Sequence, residues 1–436
     1  MRKFVLFAII VLLILFPILL WIGTLSHNLG AGLPLGIYIG VYLHDASRFL
    51  AVVGFVIIFI QYVLSSKIKL IEKGVGLDKL FRVHRIFGVI GLIFILIHPS
   101  LLFISDILQG MKPNLFIPLK IVGMFALILL FIPVIAAILY GRIKMKYEVW
   151  KNIHRAIYIM FPIAFFHSIR FGSDLIRSLP LKIFWWIIMA LFIAILIYKV
   201  VMRIRIRRNP FKVSKLLQET HDIWSLFFEG KHKNYKPGQF LTVSLVREGK
   251  VSESHPFTIS SSPTSDKLSI SVKSVGDFTS TIKDTKISDS AYIDEPYGML
   301  SFLNYDARNL VFIAGGIGIT PFMSMLRYIY DKKLERNIIL IWGNKTSGDI
   351  VFKQELEKIE SEMPSLKIIH IMSKQDDWQG EKGFVDAEKI RKYVSDLVSS
   401  QFFVCGPPVM MNIVIKALKG LGIPKRRIHY ERFALR

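Results

Sequence analysis

Six apolar stretches in the first 202 residues constrain this chain more than anything else in it. They run Phe4–Ile22, Phe49–Leu64, Ile86–Ile104, Ile117–Tyr140, Ile153–Ile169 and Leu181–Met202. Hydrocarbon offers no partner to a backbone amide, so a chain that enters it must satisfy its own polar groups. A helix of about 20 residues does so while it crosses. The stretches predict an all-α six-helix transmembrane bundle over residues 1–208. Arg2 and Lys3 precede the first stretch, which makes a cleaved signal peptide its rival reading. No small-x-small cleavage site follows, and a retained helix is expected.

Orientation follows from lysine and arginine. The connections "SSKIKLIEKGVGLDKLFRVHR" (65–85) and "GRIKMKYEVWKNIHR" (141–155) and the exit "RIRIRR" (203–208) are basic, whereas 23–47 holds no Lys or Arg. The basic connections should face the cytoplasm. Both termini then lie inside, in a multi-pass protein of the plasma membrane. The net charge of +24 would by itself suggest nucleic acid. Its concentration between apolar stretches argues for membrane topology instead, with no nucleic acid partner.

Four histidines stand in the apolar half. "FRVHRIFGVIGLIFILIHPS" carries His84 and His98 on the third stretch, and "WKNIHRAIYIMFPIAFFHSIR" carries His154 and His167 on the fifth. Ionisable groups at membrane depth are costly and mark function. A lone histidine could simply bond a neighbouring helix, but two pairs on alternate stretches point to metal. Fourteen residues of helix rise about 21 Å and thirteen about 19.5 Å. The third and fifth stretches run in the same direction. His84 and His154 therefore share the inner level, and His98 and His167 the outer one. Each pair can clamp one haem iron from both sides. No C-x-x-C-H occurs, so the two haems would be b-type and non-covalent. Arg85 and Arg155 follow the inner histidines and could meet propionates. Arg48 and Arg170 stand near the outer ends. Snorkelling and topology signalling are the plainer roles for all four. At about 100° per residue, thirteen steps turn His154 and His167 some 140° apart on a straight helix. Pro162, between them, can kink it.

The remaining sequence changes character. "KPGQFLTVSL" (236–245), "SHPFTISSSP" (254–263) and "LSISVKSVGDFTSTI" (268–282) alternate and break at Pro, Gly and Ser. They predict an antiparallel β-barrel over 209–303. "NLVFIAGGIGITPFMSML" then reads as strand, glycine turn and helix start, where Gly316 and Gly318 free N–H groups for phosphate ahead of Thr320. "IILIWGN", "LKIIHIMS" and "QFFVCGPP" supply further strands between helical stretches, predicting an α/β nucleotide domain over 304–436. Cys405 is the only cysteine, so no disulfide framework exists.

The order "HPFTISSSP", "GGIGITPF", "VCGPP", "HYERF" resembles the ferredoxin–NADP reductase superfamily. Joined to six spans with histidines paired at 14 and 13 residues, it resembles the NADPH oxidase and ferric reductase family. The resemblance covers nearly the whole chain. It implies that His255, Pro256, Phe257 and Thr258 hold the flavin and its phosphate. It implies that Lys273, Phe278 and Thr279 line the FAD pyrophosphate, and that Gly316, Gly318 and Thr320 take the pyrophosphate of NAD(P)H. Cys405, Gly406 and Pro407 would meet the nicotinamide, and Phe433 would stack on the flavin with Glu431 two residues before it. A strand-end core cysteine and a structural tail aromatic are the plainer roles. Calcium-binding loops are absent. "WGNKTSGD" lacks an arginine for a 2′-phosphate, although Lys345 or Lys353 could replace it, so NADPH and NADH both stand. The implied activity is electron transfer from cytoplasmic NAD(P)H through FAD and two haems to an outer acceptor. Oxygen, giving superoxide, comes first, with Arg48 beside the site. Asp45, Asp106 and Asp174 are few carboxylates for a ferric basin, so ferric chelate comes second, and a quinone or partner protein third. A reading from another class is a proton or ion transporter whose histidines relay protons and whose second half senses nucleotide.

Overall fold

The structure, a computed structural model, describes residues 2–25, 34–112, 118–143, 145–230 and 234–431. Two compact units divide the chain between Met202 and Arg203. The first is helical: α1 (Arg2–Ile22), α2 (Leu35–Leu64), α3 (Lys69–Val75), α4 (Leu77–Leu108), α5 (Pro118–Leu139), α6 (Tyr147–Arg155), α7 (Ile157–Phe171), α8 (Ser173–Arg177) and the start of α9 (Leu179–Arg208). Among the described residues five of these are long and apolar enough to cross a membrane: α1, α2, α4, α5 and α9. The expected sixth, the fifth in sequence, is divided into α6 and α7. Its longer piece has 15 residues, short of the ~20 a straight span needs.

Two expectations are corrected here. The second helix begins at Leu35 rather than Phe49, because His44, Asp45, Ser47 and Arg48 continue the helix instead of ending it. The break in the histidine-bearing fifth stretch lies at Ala156, six residues before Pro162, which sits within α7. Tyr62 of α2 donates its hydroxyl to the Ile157 carbonyl at 2.5 Å, so the first residue of α7 is tied to another helix. The centre of the helical unit is α2. Its run Val52–Ile60 is buried throughout, and Phe55 stacks between Phe161 (4.8 Å) and Trp185 (5.1 Å). Apolar residues on every face are what a helix surrounded by other helices requires.

The second unit holds two sheets. The first comprises β1 (Phe211–Thr220), β2 (Ile223–Glu229), β3 (Phe240–Arg247), β4 (Lys250–Val251), β5 (His255–Thr258), β6 (Leu268–Lys273) and β7 (Ser290–Tyr297). All its pairings are antiparallel, in the order β4-β3-β7-β1-β2-β6, with β5 on β3. A single bridge, Ile259 to Ile270, links the end of β5 to β6. Its side chains alternate between solvent and a core of Val213, Leu226, Leu241, Val243 and Ile270. A four-residue helix, α10 (Asp277–Ser280), follows β6.

The second sheet is parallel, in the order β11-β10-β9-β8-β12-β13. Its strands are β8 (Asn309–Gly315), β9 (Asn337–Asn344), β10 (Leu366–Met372), β11 (Glu381–Lys382), β12 (Gln401–Cys405) and β13 (Ile428–Tyr430). Helices α11 (Thr320–Asp331), α12 (Lys353–Glu362), α13 (Ala387–Tyr393) and α14 (Pro408–Gly420) alternate with them. Residues Leu310–Gly315 of β8 are all buried, as a strand covered on both faces must be. Separate apolar clusters line the two faces, one around Phe312, Phe322 and Trp342 and the other around Ile341, Phe402 and Val404.

Candidate functional sites

In the helical unit the four histidines approach one another in two pairs, His84 with His154 and His98 with His167. His84 of α4 and His154 of α6 face one another with ring centroids 6.2 Å apart and planes at 67°. Two imidazoles sharing one metal through nitrogens at ~2 Å would have ring centres roughly 6 Å apart, so this pair fits a bis-histidine iron. Both Nδ1 atoms are buried, with the Gln61 backbone beside His84 and the Pro133 backbone beside His154. Trp150 stacks on His154 at 5.3 Å, and Phe81 stands edge-on to His84.

In the second pair, His98 of α4 lies within electrostatic reach of the His167 ring of α7. Nδ1 of His98 is 2.7 Å from the Ser47 hydroxyl and 3.0 Å from the Ser47 carbonyl. His167 rests against Gly123 of α5, where a Cβ would come within 2.6 Å of the ring. The absent side chain is the cradle that admits the imidazole.

The arginines divide. Arg85 and Arg155 are exposed, and Arg155 donates to Asn152 at 2.8 Å. Arg48 is half-buried between two carboxylates. Its Nε donates to Asp174 at 2.9 Å and an Nη to Asp45 at 3.0 Å, while Thr24 also donates to Asp174 at 2.9 Å. The expected free outer cation is thus a neutralised one. The third outer carboxylate, Asp106, faces Lys120 at 3.6 Å. Two groups near the inner level went unread in the sequence. Lys199 of α9 donates to the Tyr158 hydroxyl at 2.5 Å and acts on His84 electrostatically. A lone lysine inside an apolar stretch was the available signal.

In the second unit β5 is the "HPFT" segment. It pairs with β3 so that Thr258 opposes Phe240 and Pro256 opposes Thr242. The Phe278 ring stacks on His255 at 4.0 Å and 13°, and lies 6.2 Å from Phe257. Arg247, which sequence reasoning passed over, lies 5.8 Å from the Phe278 ring and donates to the Thr281 carbonyl. Two expected pyrophosphate ligands are otherwise engaged. Lys273 pairs with Asp222 at 3.1 Å, and the Thr279 hydroxyl accepts from the Val275 and Gly276 amides.

The glycine turn and the cysteine turn are one structure. Cys405 pairs with Ala314 in the β8–β12 ladder. Beyond it the backbone of Cys405 passes so close to Gly318 that a Cβ there would stand 2.4 Å from the Cys405 carbonyl. Gly316 has φ +51°, a left-handed conformation that suits glycine. Thr320 is buried and donates to the Ile317 carbonyl at 3.1 Å, while Pro407 precedes α14. Burial, with the Glu431 charge beside it, pushes the Cys405 thiol up to about 12, so it stays protonated at neutral pH. The Glu431 carboxylate accepts from the Met299 amide and, at 3.2 Å, from the Leu300 amide. A side chain at Gly298 would meet both this carboxylate and the Phe240 ring, the partner of Thr258. Glu431 thus stands near Phe240, the strand partner of Thr258, and acts electrostatically on Cys405. Phe433 lies outside the described residues.

Three family descriptions match in chain order: "Ferric reductase like transmembrane component" over residues 50–165, "FAD-binding domain" over 208–319 and "Oxidoreductase NAD-binding domain" over 312–416. The glycine betaine monooxygenase reductase subunit of Chromohalobacter salexigens is 29% identical over 238 residues, 52% of this chain and 64% of that protein. This chain therefore spans under two thirds of that relative. The NADH-cytochrome b5 reductase 1 of Candida glabrata is 31% identical over 198 residues, 44% of this chain and 70% of that protein. Among solved structures, the flavohemoglobin of Malassezia yamatoensis aligns over 93% of this chain and 100% of its own, at 18% identity and a TM-score of 0.50. At that identity the likeness concerns fold alone.

Proposed function

The chain belongs to the NADPH oxidase and ferric reductase family, as an NAD(P)H-dependent oxidoreductase with a ferric-reductase-like transmembrane component, and on that basis we propose that it carries electrons across a membrane. NAD(P)H is oxidised at the cytoplasmic half, and O2 is reduced to superoxide on the opposite face, with FAD and two b-type haems as resident cofactors. Flavin, when bound, splits a two-electron donor into single electrons that bis-histidine iron carries one at a time. The observation that carries this reading is the inner histidine pair, 6.2 Å apart on separate helices.

In this reading His84 and His154 hold the inner haem, and His98 and His167 the outer one. Arg85 and Arg155, exposed at the inner ends, stand available to propionates. Residues 1–208 form six spans, with α6 and α7 as one bent span, and both termini are cytoplasmic in a plasma-membrane protein. Residues 209–303 form a barrel that the Ile259–Ile270 bridge would close, and 304–436 the nucleotide domain. His255, Pro256, Phe257, Lys273, Phe278 and Thr279 face FAD, with Lys273 and Thr279 exchanging their present partners for phosphate. Gly316, Gly318, Thr320, Gly406 and Pro407 take the nucleotide. Thr258, Cys405, Glu431 and Phe433 surround the hydride. Cys405, protonated, excludes water there without competing as a nucleophile.

Oxygen is favoured over ferric ion because each outer carboxylate is already paired with a cation: Asp45 and Asp174 with Arg48, and Asp106 with Lys120. Arg48 follows Ser47, which touches His98, so it lies one residue from the outer level.

A reduced-minus-oxidised absorption spectrum of the purified protein tests the reading. A b-type band that appears with NAD(P)H is expected, lost in His84→Leu and halved in His98→Leu, while the band produced by dithionite halves in both and soluble-dye reduction continues. A protein without haem would leave the transporter reading. Dismutase-sensitive reduction of an impermeant dye tests the acceptor, and anaerobic ferric-chelate reduction faster than oxygen consumption would make it a ferric reductase.

A further inference from the structure

The hydrogen bonds around His98 leave it one tautomer. A carbonyl oxygen only accepts, so the 3.0 Å contact between Nδ1 and the Ser47 carbonyl requires Nδ1 to carry the hydrogen. The Ser47 hydroxyl directs its own hydrogen to the His98 carbonyl at 2.8 Å, and its lone pairs face Nδ1 at 2.7 Å. Both contacts assign the same roles. Nε2 is left with the lone pair that a metal needs. Ser47 is fully buried, so water does not compete for these bonds.

At the inner level the backbone of Gln61 lies beside His84 and that of Pro133 beside His154, but among the described residues no hydroxyl bonds either Nδ1. The Ser47 hydroxyl is thus what distinguishes the outer level. An imidazole whose Nδ1–H donates to a strong acceptor is a more basic ligand, and a more basic ligand favours Fe(III) over Fe(II).

We infer that Ser47 is a positioning residue for the outer haem: its hydroxyl and carbonyl fix His98 as the Nδ1–H tautomer, aim Nε2 at the iron and hold the outer potential down. The inference rests on the haem reading above. The hydroxyl contributes only part of the effect, because the Ser47 carbonyl remains in any substitution.

The test is a spectroelectrochemical titration of the full chain in detergent, which resolves the two haem potentials without turnover. Ser47→Ala is expected to shift the outer Fe(III)/Fe(II) ratio at least threefold toward Fe(II) at fixed potential, about 30 mV at 59 mV per tenfold, and leave the inner haem unmoved. Selective loss of the outer haem would support the same role. Ser47→Thr, which keeps the hydroxyl, is expected to restore the wild-type value. Ser105→Ala is the control, a buried serine of α4 whose hydroxyl bonds the Gly40 carbonyl and no histidine, and it should move neither potential. Two haems with unshifted potentials in Ser47→Ala, or equal shifts of both, overturn the inference and leave the haem reading standing. Absence of haem from the unsubstituted protein overturns the haem reading itself.

Discussion

Replacing Gly318 by alanine should damage the nucleotide site through the backbone alone. The added methyl would stand 2.4 Å from the Cys405 carbonyl oxygen, 2.7 Å from its carbon and 2.8 Å from the Gly406 Cα. Carbon and oxygen approach no closer than about 3.3 Å even in favourable contacts, so one turn must retreat by roughly 1 Å. Overpacking of this kind costs about 1–3 kcal/mol. All three atoms are backbone at the end of the β8–β12 ladder, with no side chain to swing aside, which places the cost near 3 kcal/mol, on the order of a hundredfold in the folding equilibrium. A shift of this size moves Cys405, which the proposed function sets beside the hydride, and a misplacement of about 1 Å there can cost roughly 10²-fold in rate. Gly316 supplies the contrast. It has open space around it, and its φ of +51° is the only objection to a side chain. Gly316→Ala should cost about 1–2 kcal/mol and Gly316→Asn less, since asparagine tolerates that conformation. Flavin release on heating and NAD(P)H-dependent dye reduction, both on the full chain in detergent, report stability and KM. If Gly318→Ala melted with the unsubstituted protein at unchanged KM, the backbone contact would not be limiting and the reasoning would fail.

Other outcomes follow from the same geometry. In the haem reading, Gly123→Ala should displace His167 and lower haem content from two per chain toward one, whereas Gly88→Ala, which meets nothing within 4 Å, should leave the content unchanged by pyridine haemochrome assay. With the Cys405 thiol raised to about 12, iodoacetamide should label it far more slowly in the folded than in the urea-unfolded protein. The unfolded thiol ionises first, so this group's stability contribution is complete below its ordinary value of 9.0 and drains as pH rises toward about 12. Phe433→Ala should tighten nicotinamide binding with near-normal FAD content, and unchanged affinity and hydride-transfer rate would make the tail structural.

Much of this was legible because it depended on local pattern. The spacings of 14 and 13 residues matched His84 with His154 and His98 with His167, the pairs that approach one another. The burial of β8 and the glycine turn after it followed from an apolar run ending in "GGIGIT". What escaped the sequence depended on partners far along the chain. His44–Arg48 looked too polar for a span, yet α2 runs through them because Arg48 finds Asp174, 126 residues on, and Ser47 finds His98. Lys273 and Thr279 were given to phosphate by resemblance. The nearby Asp222 and the turn at Val275–Gly276 hold them in this structure. Pro162 drew attention as the helix breaker, but the division at Ala156 coincides with a hydroxyl arriving from Tyr62, and no local rule foretells that.

The division of the fifth stretch gives the two histidine helices unequal mechanical roles. Between His84 and His98, α4 is unbroken, and its fourteen residues act as a ruler of about 21 Å. An inserted residue there would swing one histidine by about 100° and ruin a rung. His154 and His167 lie on either side of Ala156, where the backbone stays right-handed but the ladder tightens to an i→i−3 bond onto Ile153, so the register between these two imidazoles is fixed less strictly. An insertion there should be absorbed. In the haem reading, α4 therefore sets the spacing between the two irons, and the fifth stretch has the looser register with which to match it.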